Sequence, residues 1–229
     1  MIISHEHKFI FLKTTKTAGT SIEIALSEYC GPRDIITPIS LADEKTRTVL
    51  GFRGPQNYII PFASYSFSDM IYCLIRGKKR QYHNHIGAKL VRRFIGEQIW
   101  QSYFKFCFER NPWDRAVSQY YWRRAEGAPH TFSEFIDSSN LKSLKKKGFG
   151  LYSMDGEVVV DRICLYENME EELAYISERL QLPEKLTLPR SKSSGRNDKE
   201  HYRDIFNRTD REKVADLFAE EISLLGYEF

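Results

Sequence analysis

Lys8-Phe9-Ile10-Phe11-Leu12-Lys13-Thr14-Thr15-Lys16-Thr17-Ala18-Gly19-Thr20-Ser21 is the stretch that decides the fold. Its apolar run, bounded by lysines, reads as a short strand. A turn rich in Thr, Gly and Ser follows, and then Ile22, Ala25, Leu26 and Tyr29 recur at helical spacing. The first thirty residues therefore predict strand, loop and helix.

The same grammar recurs along the chain. Phe104-Lys105-Phe106-Cys107-Phe108 reads as a strand and runs into Asn111-Pro112-Trp113-Asp114, with Asn as helix cap, Pro at the first helical position and Asp in the first turn. Arg162-Ile163-Cys164-Leu165-Tyr166 is another strand, followed by a helix opening at Asn168 and carried by Met169, Leu173, Ile176 and Leu180. Ile71-Tyr72-Cys73-Leu74-Ile75 reads as a further buried strand, and residues 86–100 as one helix. Phe132 to Asp137 predicts a short helix, the basic stretch up to Gly150 an exposed loop, and Val158 to Val160 a short strand. Thr209 with Glu212 reads as a capping box for a last helix that stops at Gly226. Residues 31–69 read as mostly loop.

Strands alternating with helices predict an α/β protein, and strands apolar throughout predict a sheet covered on both faces. The expectation is a P-loop-like three-layer fold with a central, mainly parallel sheet flanked by helices. No repeat or linker divides the chain, so residues 1–229 read as one domain.

The 34 basic and 31 acidic residues nearly cancel, leaving +3. That is too mild to indicate nucleic-acid binding; local clusters such as Lys78-Lys79-Arg80 and Lys145-Lys146-Lys147 read as solvated faces or as attractors of anions. Cys30, Cys73, Cys107 and Cys164 are scattered and read as buried free thiols; no Cys/His spacing suits a metal. No run approaches the ~18 apolar residues of a membrane span. The expected location is cytoplasmic.

The loop after the first strand has the chemistry of an anion site. Its helix offers unpaired N–H groups and the positive end of a dipole. Gly19 permits close backbone approach, Thr17, Thr20 and Ser21 supply hydroxyls, and Lys16 supplies a point charge. The same residues also suit an ordinary capped helix. The loop departs from the Walker pattern, because its lysine precedes the glycine. At the second strand–helix junction Arg110 can fork a phosphate, and Ser118 lies about two helical turns further on.

The pair of motifs, Lys16-Thr17-Ala18-Gly19-Thr20-Ser21 and Arg110-Asn111-Pro112-Trp113-Asp114-Arg115-x-x-Ser118, resembles the sulfotransferase superfamily and is closest to its carbohydrate branch. The resemblance implies 3′-phosphoadenosine-5′-phosphosulfate (PAPS) as donor, with 3′-phosphoadenosine-5′-phosphate (PAP) as product and no metal. It implies that Lys16, Thr17, Ala18, Gly19, Thr20 and Ser21 hold the 5′-phosphosulfate, and that Arg110 and Ser118 hold the 3′-phosphate. Lys192 and Arg196 fall in a stretch similar to the late loop that closes over the nucleotide. His85, with His83 second, matches the place of a catalytic base, and Lys16 would support the leaving oxygen. The acceptor would be a hydroxyl, of a glycan or glycolipid. The lack of an apolar anchor fits a bacterial or viral member better than a Golgi one. Two rival readings are a P-loop-like nucleotide kinase or phosphotransferase, which needs Mg²⁺ ligands that the sequence does not display, and a non-catalytic nucleotide-binding module.

Overall fold

The computed structural model describes residues 1–125, 127, 131–189 and 201–229. Its main sheet contains Ile2–Ser4 (β1), Phe9–Leu12 (β2), Ile35–Ile36 (β3), Phe104–Glu109 (β4) and Arg162–Leu165 (β7), while Ser153–Met154 (β5) and Glu157–Val158 (β6) form a separate hairpin. The spatial order is β3-β1-β2-β4-β7. β1 is antiparallel to β2 and to β3, whereas β2–β4 and β4–β7 are parallel, so every strand of the sheet except β1 points the same way. The helices are Gly19–Ser27 (α1), Leu41–Val49 (α2), Phe67–Arg76 (α3), Ala88–Ile95 (α4), Glu97–Ser102 (α5), Pro112–Ala125 (α6), Phe132–Asp137 (α7), Ser139–Lys146 (α8), Phe149–Tyr152 (α9), Met169–Arg179 (α10), Tyr202–Ile205 (α11), Arg208–Leu217 (α12) and Ala219–Leu225 (α13).

The pleat explains why the strands are apolar throughout. Phe9, Phe11, Phe106 and Phe108 face one side and pack with α1 and α10 through Ile22, Leu26, Leu173 and Ile176. Ile10, Leu12 and Cys107 face the other side and pack with α4, α5 and α9 through Val91, Phe94, Trp100 and Phe149. A third core joins α6, α7, α8 and α12 around Trp113, Tyr120, Phe135, Leu144 and Phe218. The three-layer arrangement expected from the sequence is present. Among the described residues no helix is long and apolar enough to cross a membrane.

Several local expectations change. Residues 71–75 are not a buried strand but part of α3, which starts at a capping box of Ser66 with Asp69 and ends at Gly77, φ 61°. A five-residue apolar run fits either element, and here the caps decide. Residues 86–100 form two helices, because Gly96 at φ 89° breaks the run. The basic stretch before Gly150 is α8 and α9, since Leu141 and Leu144, three apart, are buried while the lysines face outward. The cap of α12 is Asn207, whose side chain accepts from Asp210 N, rather than Thr209. Cys73 is only partly buried; all four thiols are free.

Candidate active site

β2 and β4 are parallel with Leu12 beside Cys107, so their carboxyl ends open at one edge of the sheet. The loop between β2 and α1 turns sharply there. Lys16 at φ 66° and Ala18 at φ 58° are both left-handed without being glycine, which costs about 1–2 kcal/mol each. Alternating handedness of this kind turns successive N–H groups toward one concavity, a nest for an anion. Helix α1 has no side-chain cap and no acidic residue in its first turn, so its positive end is left to the loop.

Distant residues hold this shape. The Thr14 hydroxyl donates to the Phe108 carbonyl of β4 and lies 2.9 Å from the Thr17 hydroxyl. Thr17 is therefore turned inward and buried, and the structure does not offer its hydroxyl to a ligand. Thr20 and Ser21 are half-buried at the start of α1. Gly19 is required for a reason other than ligand approach: a Cβ there would lie 2.8 Å from Lys13 Cγ. Arg115, fully buried on α6, donates from Nε to the Thr15 carbonyl at 2.9 Å, and Thr15 N donates to the Lys147 carbonyl at 3.0 Å.

The two junctions meet at Arg110. Its Nη1 donates to the Lys16 carbonyl at 3.3 Å, and Nε and Nη2 donate to Asp114 Oδ2 at 2.8 and 2.6 Å. Its guanidinium lies 4.2 Å over the Tyr166 ring. These bonds use three of the five guanidinium N–H groups, and one on Nη1 and one on Nη2 take no part in them. Asp114, Ser118 and Trp122 follow one another at i, i+4 on α6 and so share a face. Asp114 holds Arg110 and the Trp122 ring lies 5.6 Å from Lys16 Nζ, which places Ser118 between the two on the side of the loop.

His85 hangs from the same loop. Its Nδ1 lies 2.8 Å from the Lys13 carbonyl, which can only accept, so Nδ1 carries the proton and Nε2 keeps a lone pair. Burial, with Lys13, the N-terminal ammonium and Lys147 nearby, pulls its pKa down to about 4, so the ring is neutral near pH 7. The ammonium of Lys13 holds the preceding residue through Asn84 Oδ1 at 3.3 Å and is itself paired with buried Glu23 at 2.8 Å. His83 is exposed and lines a cavity of about 540 Å³ together with Tyr72, Arg80, Leu90 and Arg93. Although the residue as a whole is exposed, partial desolvation of its ring first, and then the N-terminal ammonium, lower its pKa.

Sequence reasoning missed Lys13, Asn84, Glu23 and Arg115. Lys13 and Arg115 stood inside the quoted motifs and could have been noted; the others have no local signal. Lys192 and Arg196 lie outside the described residues. Among the described residues no three His, Cys, Asp or Glu side chains converge as metal ligands.

A model of the sulfotransferase family matches residues 1–228. An uncharacterized protein of Archaeoglobus fulgidus is 36% identical over 104 residues, covering 43% of this chain and 85% of that protein. The crystal structure of a sulfotransferase from Alicyclobacillus acidocaldarius covers 97% of this chain and 96% of its own, with 14% identity and a TM-score of 0.39.

Proposed function

Since the chain belongs to the sulfotransferase family, we propose that it moves a sulfuryl group from PAPS to a carbohydrate or glycolipid hydroxyl by in-line displacement at the carboxyl ends of β2 and β4. On this reading residues 1–229 are one domain. The observation that carries it is that one loop holds both partners: the Lys13 carbonyl anchors His85, and three residues on the Lys16 carbonyl anchors Arg110.

The left-handed turns at Lys16 and Ala18 and the uncapped α1 suit the 5′-phosphosulfate. Arg110 and Ser118 suit the 3′-phosphate. Asp114 keeps the guanidinium in place, as a preorganised donor requires. The ring of Tyr166 lies beside the guanidinium so held.

His85 Nε2 takes the proton of the acceptor hydroxyl. The acceptor oxygen forms a bond to sulfur while the bond from sulfur to the 5′-phosphate oxygen breaks, and the electrons of that bond stay on the phosphate. Lys16 and the loop amides face the charge that develops there, an effect of about 3 kcal/mol per key donor. A base with a pKa near 4 is weak for this task. The several negative charges of PAPS beside Lys13 and Lys147 oppose the cations that depress it, so donor binding raises the basicity of His85 at the step that needs it.

The test is calorimetry with PAP together with transfer of radiolabelled sulfate. Wild type should bind PAP, and Lys16→Ala and Arg110→Ala should each weaken that binding at least tenfold, or about 1.4 kcal/mol. Unchanged PAP binding in both variants refutes the assignment. Binding without transfer to any acceptor in a broad screen, unaffected by His85→Asn, supports a non-catalytic module instead.

A further inference from the structure

Helix α3 is amphipathic in an inverted sense. Phe67, Met70, Ile71, Leu74 and Ile75 recur at i, i+3, i+4, i+7 and i+8 and form one stripe. That stripe faces outward: Phe67, Leu74 and Ile75 are 78%, 84% and 75% exposed. The inner side is the polar one. Asp69 is fully buried and receives Arg80 Nε and Arg93 Nη2, both at 2.7 Å, and the Arg80 guanidinium stacks 3.7 Å over Tyr72. A helix that only covered the body would be turned the other way, with the leucine and isoleucines inside.

Charge identifies what covers the stripe. Arg76 closes the last turn of α3, and Gly77 leads directly into exposed Lys78 and Lys79. Lys79 Nζ lies 5.3 Å from the ring of Phe62, which is itself exposed. Asp69, the one carboxylate in α3, is buried and neutralised, so the rim is cationic. An apolar stripe with a basic border is the pattern of a helix lying at the boundary between headgroups and acyl chains. Pairing with a second copy through the stripe would leave two cationic rims with no carboxylate of α3 to meet them.

The stripe also adjoins the chemistry. Tyr72 of α3 and Lys78, Lys79 and Arg80 after it line the same cavity as His83, two residues from His85. We propose that α3 seats the protein on an anionic lipid surface, so that the acceptor hydroxyl reaches the site on a lipid headgroup. The seat stands on the geometry of α3 alone; the lipid-borne acceptor rests on the sulfotransferase reading.

The experiment is co-sedimentation of the full chain with phosphatidylcholine vesicles, with and without about 30 mol % phosphatidylglycerol. The protein should partition onto the mixed vesicles. Leu74→Gln/Ile75→Gln, both on the exposed face, should lower the partition coefficient about tenfold or more while leaving PAP binding intact. Lys78→Glu/Lys79→Glu should remove the preference for the anionic lipid. Absence of sedimentation with either vesicle overturns the seat, as does a dimer by light scattering that Leu74→Gln/Ile75→Gln abolishes. Vesicle binding without transfer of labelled sulfate to any lipid, by a protein that does sulfate a soluble acceptor, overturns the lipid-borne acceptor. These readouts separate a failure of the seat from a failure of the sulfotransferase reading, which PAP binding tests.

Discussion

Gly148→Ala is expected to destabilise the protein by about 3–5 kcal/mol, the cost typical of breaking a buried charged pair. A Cβ at Gly148 would stand 2.4 Å from Arg115 Nη1 and 2.5 Å from Nη2. The end of a long side chain would ordinarily swing aside, but this guanidinium is fully buried and fixed on all sides. It donates to the Thr15 carbonyl at 2.9 Å, Glu109 Oε2 at 2.7 Å, the Leu144 carbonyl at 3.2 Å and the Lys147 carbonyl at 3.1 Å. Charge-assisted bonds contribute about 1.5–3 kcal/mol each, so losing even two of them reaches the stated range. In a chain of this length that corresponds to a melting temperature lower by about 6–20 °C. Release of Thr15 would also loosen the loop at Lys16, so PAP affinity should fall with stability. Thermal unfolding and PAP calorimetry on Gly148→Ala check this. Gly150→Ala is the control: nothing lies within 4 Å of its added Cβ, and it should be neutral or slightly stabilising within about 1 kcal/mol. A Gly148→Ala protein that melts within about 2 °C of wild type and binds PAP equally well would refute the claim that Arg115 is wedged there and braces the loop.

His85→Asn should lower sulfate transfer by about 10²–10⁴-fold with PAP affinity nearly unchanged, whereas His83→Ala should have the smaller effect; equal losses in the two would move the base to His83. Because the pKa of His85 before the donor binds is about 4, kcat/KM for PAPS should show no acid limb from this group between pH 7 and 5 and should fall as pH drops through 4, and a His85-dependent limb near 6.5 in that parameter contradicts its burial. Burial and the neighbouring Glu221 raise Glu109 to about 7 against the opposing pull of Arg115, so the folded state holds this proton more tightly than the unfolded one. Its contribution to stability is full below pH 4.5 and is lost as pH rises toward 7, and Glu109→Gln should flatten that part of the unfolding curve against pH. Lys13→Met should destabilise the protein and, by freeing Asn84, reduce transfer through His85 more than it reduces PAP binding; the ratio of kcat to PAP affinity decides.

The parts of the site legible in the sequence are those in which chemistry and structure share one short segment. The loop from Lys13 to Ser21 follows an apolar strand and opens a helix, and Asn111-Pro112 announces the second junction by its capping chemistry, which the structure shows in Asn111 Oδ1 accepting from Trp113 N at 3.1 Å. What holds these segments together was not legible. Arg115 reads as one more helical arginine until Thr15, Glu109, Leu144 and Lys147 surround it. β1 is three residues long, too short for any periodicity to show. α3 misled for a physical reason: a helix whose apolar face is exposed presents the same run of large residues as a buried strand, and only its caps tell the two apart.

The left-handed turns at Lys16 and Ala18 bear on protein engineering. The loop's shape is imposed by contacts to Phe108 and Arg115, which lie 94 and 100 residues further along the chain. Lys16-Thr17-Ala18-Gly19-Thr20-Ser21 is thus no portable cassette. Moved onto another strand–helix junction without those braces, it would relax to ordinary right-handed turns, and its amides would no longer converge. A graft that keeps the function must carry the braces of β4 and α6 with it.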